Sequence, residues 1–504
     1  MTPDAAELGD NTEVAVNDAD LVVHDAVVVT VDEDNRIYRN GTVVVEDGVL
    51  TDVRTTRDGD RDCDADRVID GEGTLVMPGL VNAHTHLELT PLIGAFSDLD
   101  LLEMMSGMTA IFGHIADGEY DYLTDAGYEL AALNFLAGGV TTVNSMDVRP
   151  SGGAETFGEA GLRGFFGMAL SDLFWDVPVD KQFERAREFI DQYHGAYDGR
   201  IRATINPHDD WSCTRALWER TAALADEYPD LLVHTHLLEL EASNTMARSN
   251  GAEDSLDLLD DIGLLDDRLV AAHFRLANNE DIQRTADANA SVAHCPSIFA
   301  YWNTDGDVQW TPVPELRDAS VDVGLGIDDH YWHDSYSLFG EARQARLAAN
   351  LKRSTGQYHS MELVRMLTIE GAAALGIDDE VGSLEPGKCA DVIVLDIEKP
   401  KFIPMTNIPA QIVNNAVPAD VKTVIVDGDV LMRDGDVKTM DADAVREQVE
   451  SAVERFESET DWELGVGGSV PPSKLNVAHD LPKRGPSQLL GRLAFQSAKD
   501  QFPF

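Results

Sequence analysis

The stretch PGLVNAHTH, Pro78–His86, is an apolar run that ends on two histidines. Side chains alternate between the faces of an extended strand, so His84 and His86 project to one side and are able to grip a single metal ion. Taken alone the pair is a weak signal, because a solvated turn carries it equally well. Its weight comes from the residues downstream, where short apolar strands alternate with amphipathic helices, the pattern of a parallel sheet or barrel. Candidate strands run over Val81–His86, Thr141–Met146, Gly164–Ala169, Ile201–Pro207, Leu231–His236, Leu269–His273, Ser291–His294 and Val321–Asp328. The helices between them have recognisable limits: Thr214 precedes RALWERTAALADEY, which Pro229 stops, and Asn278 or Asn279 caps EDIQRTADAN. Eight such strands predict an α/β fold, a (β/α)8 barrel of the TIM type.

Outside this region the pattern changes. From Asp20 to Leu75 the runs LVVHDAVVVTV, GTVVVEDGVLTDV and RVIDGEGTLV are β-rich. CADVIVLDI and VKTVIVDGDVLMRDGDV repeat that texture near the other end, with a D-G hairpin signal at Asp427 and Gly428. Neither set has enough strands to cover its own apolar face, so the two are expected to pair into one small β-sandwich. The expected organisation is an acidic disordered arm over 1–19, sandwich strands over 20–75, a metal-dependent barrel over 76–385, and further sandwich strands over 386–440. A polar helix from Asp441 to Glu459 and a glycine-, proline- and serine-rich tail then fill 441–504.

The chain has 504 residues, 43% of them hydrophobic, enough for one large catalytic core with satellites. No apolar run reaches the roughly 18 to 20 residues needed to cross a bilayer. The first residues lack the basic and apolar regions of a secretory signal, so a cytoplasmic, soluble protein is expected. Acidic residues number 91 against 38 basic ones, and the net charge of −53 repels phosphate backbones and anionic lipid. Nucleic acid and membranes are therefore not expected partners; a small-molecule substrate and a homo-oligomer are. The four cysteines stand far apart with no C-x-x-C pair, which suggests reduced thiols rather than a zinc knuckle or disulfides.

In an eight-stranded barrel the strand C-termini converge on one face, so groups distant in sequence meet there. His236 ends the fifth strand in LLVHTHLLE, with Glu239 three residues on. In isolation His234 and His236 read equally as strand-end histidines, and Glu239 as the acidic first turn of a helix. His273 ends the sixth strand, and Asp328 ends the eighth in VGLGIDD, where two glycines permit close backbone approach. Four strand ends bearing such groups on one face make coincidence a poor account, and the mixed nitrogen and oxygen set suits zinc or ferrous iron. Asp329 and Asp334 are read as solvated loop acids, while His330 and His333 either line the pocket or pack among the aromatics.

These segments resemble the amidohydrolase superfamily, in particular its mononuclear branch of aminohydrolases and triazine hydrolases related to cytosine, guanine and S-adenosylhomocysteine deaminases. The resemblance covers most of the chain. MPGLVNAHTHLE is similar to the family's first-strand motif, GGVTTVNSM to its second strand, NPHDDWSCTRAL to its fourth, HTHLLE to its fifth, AAHF to its sixth, AHCPS to its seventh and GLGIDD to its eighth. LTIEGAAALGIDDEVGSLEPGKCADVIVLD is similar to its return into the sandwich.

The resemblance implies that His84, His86, His236 and Asp328 hold one divalent metal ion, zinc or else Fe2+. It gives Glu239 proton transfer, His273 polarisation of the substrate, and Asp328 the proton of the attacking water. The binuclear relatives' bridging lysine is absent from the fourth strand end, where Asn206, Pro207 and His208 stand. His208 and His294 are expected to contact the substrate. The chain departs from the family after Ser297 and at Asp329, so the pocket wall differs and the substrate stays open among purines, pyrimidines, adenosyl compounds and triazines. A bound divalent ion lowers the pKa of its water from about 15.7 to about 7, so the expected reaction is hydrolytic deamination of a cyclic amidine or aminated heterocycle. Hydrolytic dehalogenation and cyclic amide cleavage on the same centre are the alternatives, and a non-catalytic scaffold would have lost ligands that are all present.

The charge pattern resembles proteins of salt-loving cytoplasms. The Debye length falls from about 10 Å at 0.1 M salt to about 3 Å at 1 M, so self-repulsion among the unbalanced carboxylates falls with it. The melting temperature is expected to rise between those two salt concentrations; an unchanged value by calorimetry would contradict this reading.

Overall fold

The computed structural model describes residues 19–475 except 98, 100, 176, 302–308, 334, 353–355, 466–469 and 473–474. The acidic arm before residue 19, the tail after 475 and Asp334 thus lie outside the described residues. The chain begins with β1 (Leu21–Val29), β2 (Ile37–Glu46), β3 (Val49–Thr55), β4 (Arg67–Asp70) and β5 (Thr74–Pro78). These are the valine-rich runs, whose branched side chains suit a pleated surface.

Next come β6 (Leu80–Thr85), β7 (Val140–Asp147), β8 (Arg163–Leu170), β9 (Ile201–Ala203), β10 (Asn206–Pro207), β11 (Val233–Leu237), β12 (Leu269–His273), β13 (Ser291–His294) and β14 (Val323–Leu325). They fall on the eight expected spans, the fourth being split into β9 and β10. β6, β7, β8 and β10 pair in parallel, with β9 also on β8, and β11 to β14 pair in parallel in chain order. Parallel bridges Ile205–Val233 and Thr85–Asp328 join the two sheets at either side. Every residue of β6, β7, β8 and β11 to β14 is buried, as expected of parallel strands flanked by helices.

The strands end together because their cores permit it. Ala83, Ala272 and Ala293 form a small, fully buried cluster between β6, β12 and β13. A Cβ on Gly324 would lie 2.8 Å from Ala83 Cβ, and one on Gly326 would lie 2.9 Å from the His84 carbonyl oxygen. Only glycine lets the eighth strand end approach the first this closely.

The chain closes with β15 (Val392–Asp396), β16 (Val421–Val426), β17 (Asp429–Arg433) and β18 (Asp436–Val437). β15 pairs antiparallel with β5 from Val392–Pro78 to Asp396–Thr74, while β1 pairs with β5 in parallel. Strands from both β-rich segments therefore share one nine-stranded sheet, and β5 carries it past residue 75 to Pro78. The helix Ala442–Thr460 packs against the helix Asp121–Ala137, and Trp462 stacks edge-on to Phe96 at 5.5 Å. All four cysteines are free, and no helix among the described residues is long and apolar enough to cross a membrane.

One ionic cluster ties the terminal sheet to the parallel strands. Arg163, at the start of β8, donates from Nε and Nη2 to both oxygens of Asp391, at 2.9 and 3.1 Å, and also binds Asp427. Arg163 and Asp391 are 6% and 3% exposed. Arg163→Ala leaves a buried carboxylate without its cation and is expected to cost about 3–5 kcal/mol, as for other broken buried pairs. Denaturant unfolding measures this, and a loss under about 1 kcal/mol would show the pair to be dispensable.

Candidate metal centre and its cleft

His84 lies in β6 and His86 directly follows it, His236 lies in β11, and Asp328 follows β14 by three residues. One donor atom of each lies within 4.8 Å of the others, and all four residues are buried. His84 Nε2 is 3.3 Å and His86 Nε2 3.5 Å from Asp328 Oδ1, and His86 Nε2 is 3.1 Å from His236 Nε2.

The hydrogen bonds around this cluster fit a cation at its centre. His86 donates its Nδ1–H to the Met146 carbonyl at 2.6 Å, and His236 donates its own to the His208 carbonyl. In its neutral form each ring thus presents a bare lone pair on Nε2, and the two lone pairs face each other unless a cation or a proton lies between them. His84 Nε2 is buried without a hydrogen-bond partner, while its Nδ1 contacts His234 Nε2 at 2.9 Å. Burial holds His84 and His236 well below the usual histidine range, so both stay neutral and ligand-ready. At His86 burial acts in the same direction, but Asp329, Asp328 and Asp147 outweigh it and raise the imidazole. Such a potential favours positive charge there.

Glu239 and His273 face the same point. His273 Nε2 is 3.8 Å from Asp328 Oδ2 and 3.9 Å from Glu239 Oε1. Burial, then the Asp328 and Asp209 charges, push the Glu239 carboxyl well above the usual range despite a hydrogen bond from Trp211. Such a group holds a proton it is able to give. These residues line one cleft together with Phe174, Trp175, His208, Trp211, Asp329 and Trp332.

Residues 75–431 match the amidohydrolase family. A 5'-deoxyadenosine deaminase of Methanothermobacter thermautotrophicus is 35% identical over 398 residues, 78% of this chain and 90% of that protein. A 5-methylthioadenosine/S-adenosylhomocysteine deaminase of Symbiobacterium thermophilum is 32% identical over 414 residues, 82% of this chain and 93% of that one. The chain belongs to the amidohydrolase family. Among solved structures, an adenosine deaminase from Xanthomonas campestris with bound zinc aligns with a TM-score of 0.79 at 28% identity, covering 87% of this chain and 99% of that one. This amidohydrolase is accordingly a hydrolase of carbon–nitrogen bonds other than peptide bonds, with a His/Asp cluster able to bind a divalent metal.

The structure sorts the remaining residues of this amidohydrolase. His208 lines the cleft, whereas His294 lines an adjoining cavity and contacts Thr311 Oγ1 through Nδ1 at 2.9 Å. Asp329 is not the solvated loop acid expected: it is 8% exposed, accepts the Tyr331 hydroxyl and faces the cleft, because the residues after Asp328 turn inward as a short helix, His330–His333. His330 and His333 pack in the interior, donating to Thr90 Oγ1 and the Ile327 carbonyl at 2.9 Å each, and do not line the cleft. Glu88, Trp211 and the Phe174–Trp175 pair escaped the reading of the sequence. Their one legible signal was position, since Glu88 continues the period of His84 and His86 and the aromatics follow strand ends.

Position is held by strained backbone. Leu238, His273 and Asp328 have φ of 50°, 74° and 66°, a left-handed conformation costing non-glycine residues on the order of 1–3 kcal/mol. Asp210 offsets part of this at Leu238, accepting from its N–H at 3.0 Å and from Ser243 Oγ at 2.6 Å. Arg275 Nε binds the Glu239 carbonyl. Asp210→Ala removes the acceptor next to Glu239, so turnover is expected to fall about ten- to a hundredfold with metal content unchanged, as when an outer partner of a site is lost. Elemental analysis beside steady-state rates checks this, and unchanged turnover would exclude the role.

Proposed function

We propose that this amidohydrolase deaminates an adenine-type base carried on a 5'-modified ribose, using one zinc ion per chain. The observation that carries the reading is the convergence of His84, His86, His236 and Asp328 within 4.8 Å, facing Glu239 and His273 in one cleft. The relatives' activities and the zinc-bound neighbour support it.

His84, His86, His236 and Asp328 hold the ion, which when bound supplies Lewis acidity that acidifies water towards neutral pH. Asp328 takes the proton of the attacking water. Glu239 places its proton on the ring nitrogen beside the amino-bearing carbon, takes up the proton the added hydroxyl loses as C=O forms and passes it to the departing amine, and the proton held by Asp328 then restores Glu239. His273, neutral through burial, hydrogen-bonds the incoming oxygen as that carbon becomes tetrahedral. His208 and the aromatic wall orient the base. One water is consumed, a C–N bond becomes C=O, and one ammonia leaves.

The two parallel sheets and the bridges joining them support a single closed (β/α)8 barrel over 76–385. The nine-stranded sheet supports one domain formed by 20–75 and 386–440, which we read as the expected β-sandwich.

Ammonia release from purine nucleosides, pyrimidines, adenosyl compounds and triazines, assayed in high salt, tests the substrate class; release from none of the adenine compounds would overturn it. Two variants separate the roles. Glu239→Gln is expected to keep its metal and lose about a hundredfold to ten-thousandfold in turnover, whereas His236→Ala loses metal and turnover together. Near-normal turnover in Glu239→Gln, or its loss of metal, would move proton transfer to another acid such as Asp329.

A further inference from the structure

The two carboxyl oxygens of Glu239 have different surroundings. Oε1 lies 3.9 Å from His273 Nε2, which is itself 3.8 Å from Asp328 Oδ2, so this oxygen is on the side of the metal donors. Oε2 accepts the indole N–H of Trp211 at 3.4 Å, the one hydrogen bond that the carboxyl makes among the described residues.

Trp211 has little freedom to point elsewhere. Its backbone N–H donates to Asp209 Oδ1 at 2.8 Å, and Ser212 Oγ donates to the other oxygen of the same carboxylate at 2.7 Å. The residue is 4% exposed, clustered with Leu173, Ala242 and Met246, and Phe174 packs edge-on to the indole with centroids 5.1 Å apart. The main chain of Glu239 is anchored separately, because Arg275 Nε donates to its carbonyl and the preceding N–H, of Leu238, is held by Asp210.

An indole N–H donates and never accepts. When Glu239 carries the proton it is to deliver, one of its oxygens is a hydroxyl and the other a carbonyl, and the carbonyl is the better acceptor. Trp211 therefore sets the carbonyl at Oε2 and leaves the hydroxyl at Oε1, towards the metal donors. As that O–H bond breaks and an N–H bond forms on the substrate ring, the negative charge left on Glu239 is shared with Oε2, and the bond from Trp211 becomes charge-assisted. A contact that strengthens as the proton leaves lowers the barrier without tightening ground-state binding. Burial, Asp328 and Asp209 raise the Glu239 carboxyl, whereas Trp211 and the Arg275 charge favour its ionised form, the state reached when the proton has gone.

We infer that Trp211 is a positioning residue for proton transfer: its indole N–H fixes the transferable proton on Oε1 of Glu239 and stabilises the carboxylate that remains. This rests on the assignment of proton transfer to Glu239 and not on the identity of the base.

Two measurements on zinc-loaded protein test it, and the first needs no substrate. The chain has seven tryptophans, and in protein labelled with 15N at the indoles the Trp211 resonance is the one that Trp211→Phe removes. Its N–H proton is expected to move upfield in Glu239→Ala, which lacks the acceptor, and to stay near its place in Glu239→Gln, whose amide oxygen still accepts. A resonance unmoved in Glu239→Ala would overturn the inference. The second is a double-mutant cycle with a compound that releases ammonia. Trp211→Phe keeps an aromatic ring and loses the donor, so kcat is expected to fall about ten- to a hundredfold with KM within about threefold and zinc content unchanged. In the Glu239→Gln background the same substitution should alter kcat by less than about twofold, since the proton it positions is no longer there. Losses that multiply in the double variant, or a loss confined to KM, would make Trp211 a wall of the cleft and nothing more. Should no adenine compound react, the substrate reading fails, whereas the indole resonance decides this inference unaided.

Discussion

Two imidazole nitrogens face each other 3.1 Å apart in a buried cluster, and the rest of the site depends on the positive charge placed between them. His86 and His236 have each committed the other ring nitrogen to a carbonyl, so neither ring is free to turn over and donate. His84 adds a third buried nitrogen without a partner, and Asp328 adds a carboxylate 3.3 Å from it. A cation engages all four donors at once, whereas a proton on His86, which the acids around it favour, bridges only His86 and His236. The Met146 and His208 carbonyls, at the ends of neighbouring strands, thereby set the chemistry of the centre as much as the donors do.

Bringing four strand ends to one point has a conformational cost, which is concentrated where the function is. Leu238, His273 and Asp328 sit in left-handed backbone that their side chains disfavour, and the structure compensates locally. Phe274 N–H binds the Leu237 carbonyl and Leu276 N–H the Leu238 carbonyl, each at 3.0 Å, while Asp328 N–H binds the His84 carbonyl at 3.0 Å. These bonds lash the fifth strand to the sixth and the eighth to the first. Strain held by surrounding hydrogen bonds keeps the side chains at these positions in place more rigidly than a relaxed loop would.

Acidity has two scales here. Over the whole chain it amounts to a net charge of −53. Inside the cleft a few carboxylates lie in low-polarity surroundings, where burial raises Glu239 well above its usual range, Asp329 to about 7 and Glu88 to about 8. Glu88 accepts the Val148 and Arg149 N–H groups at 2.9 and 2.6 Å, so it also ties the first strand end to the second. The pocket therefore joins these acids to a cluster able to hold a divalent metal.

The sequence by itself determined the alternation of strands and helices, the β-rich texture of both ends, and the period-two pair His84 and His86. It also marked which strand ends carry donors, because the two-residue period of a strand and the placement of glycines and caps are local properties. Tertiary structure alone decided that these donors lie within 4.8 Å, since that distance depends on the stagger between strands far apart in the chain. It decided too that Asp329 faces inward while His330 and His333 pack away from the cleft, and that His294 opens into a second cavity. These are choices among faces of short turns and loops, made by packing against Phe135, Tyr331, Tyr336 and Thr311 and not by any repeat in the sequence. Periodicity tells which side of a strand a residue occupies; only the packing of the whole chain tells what lies on that side.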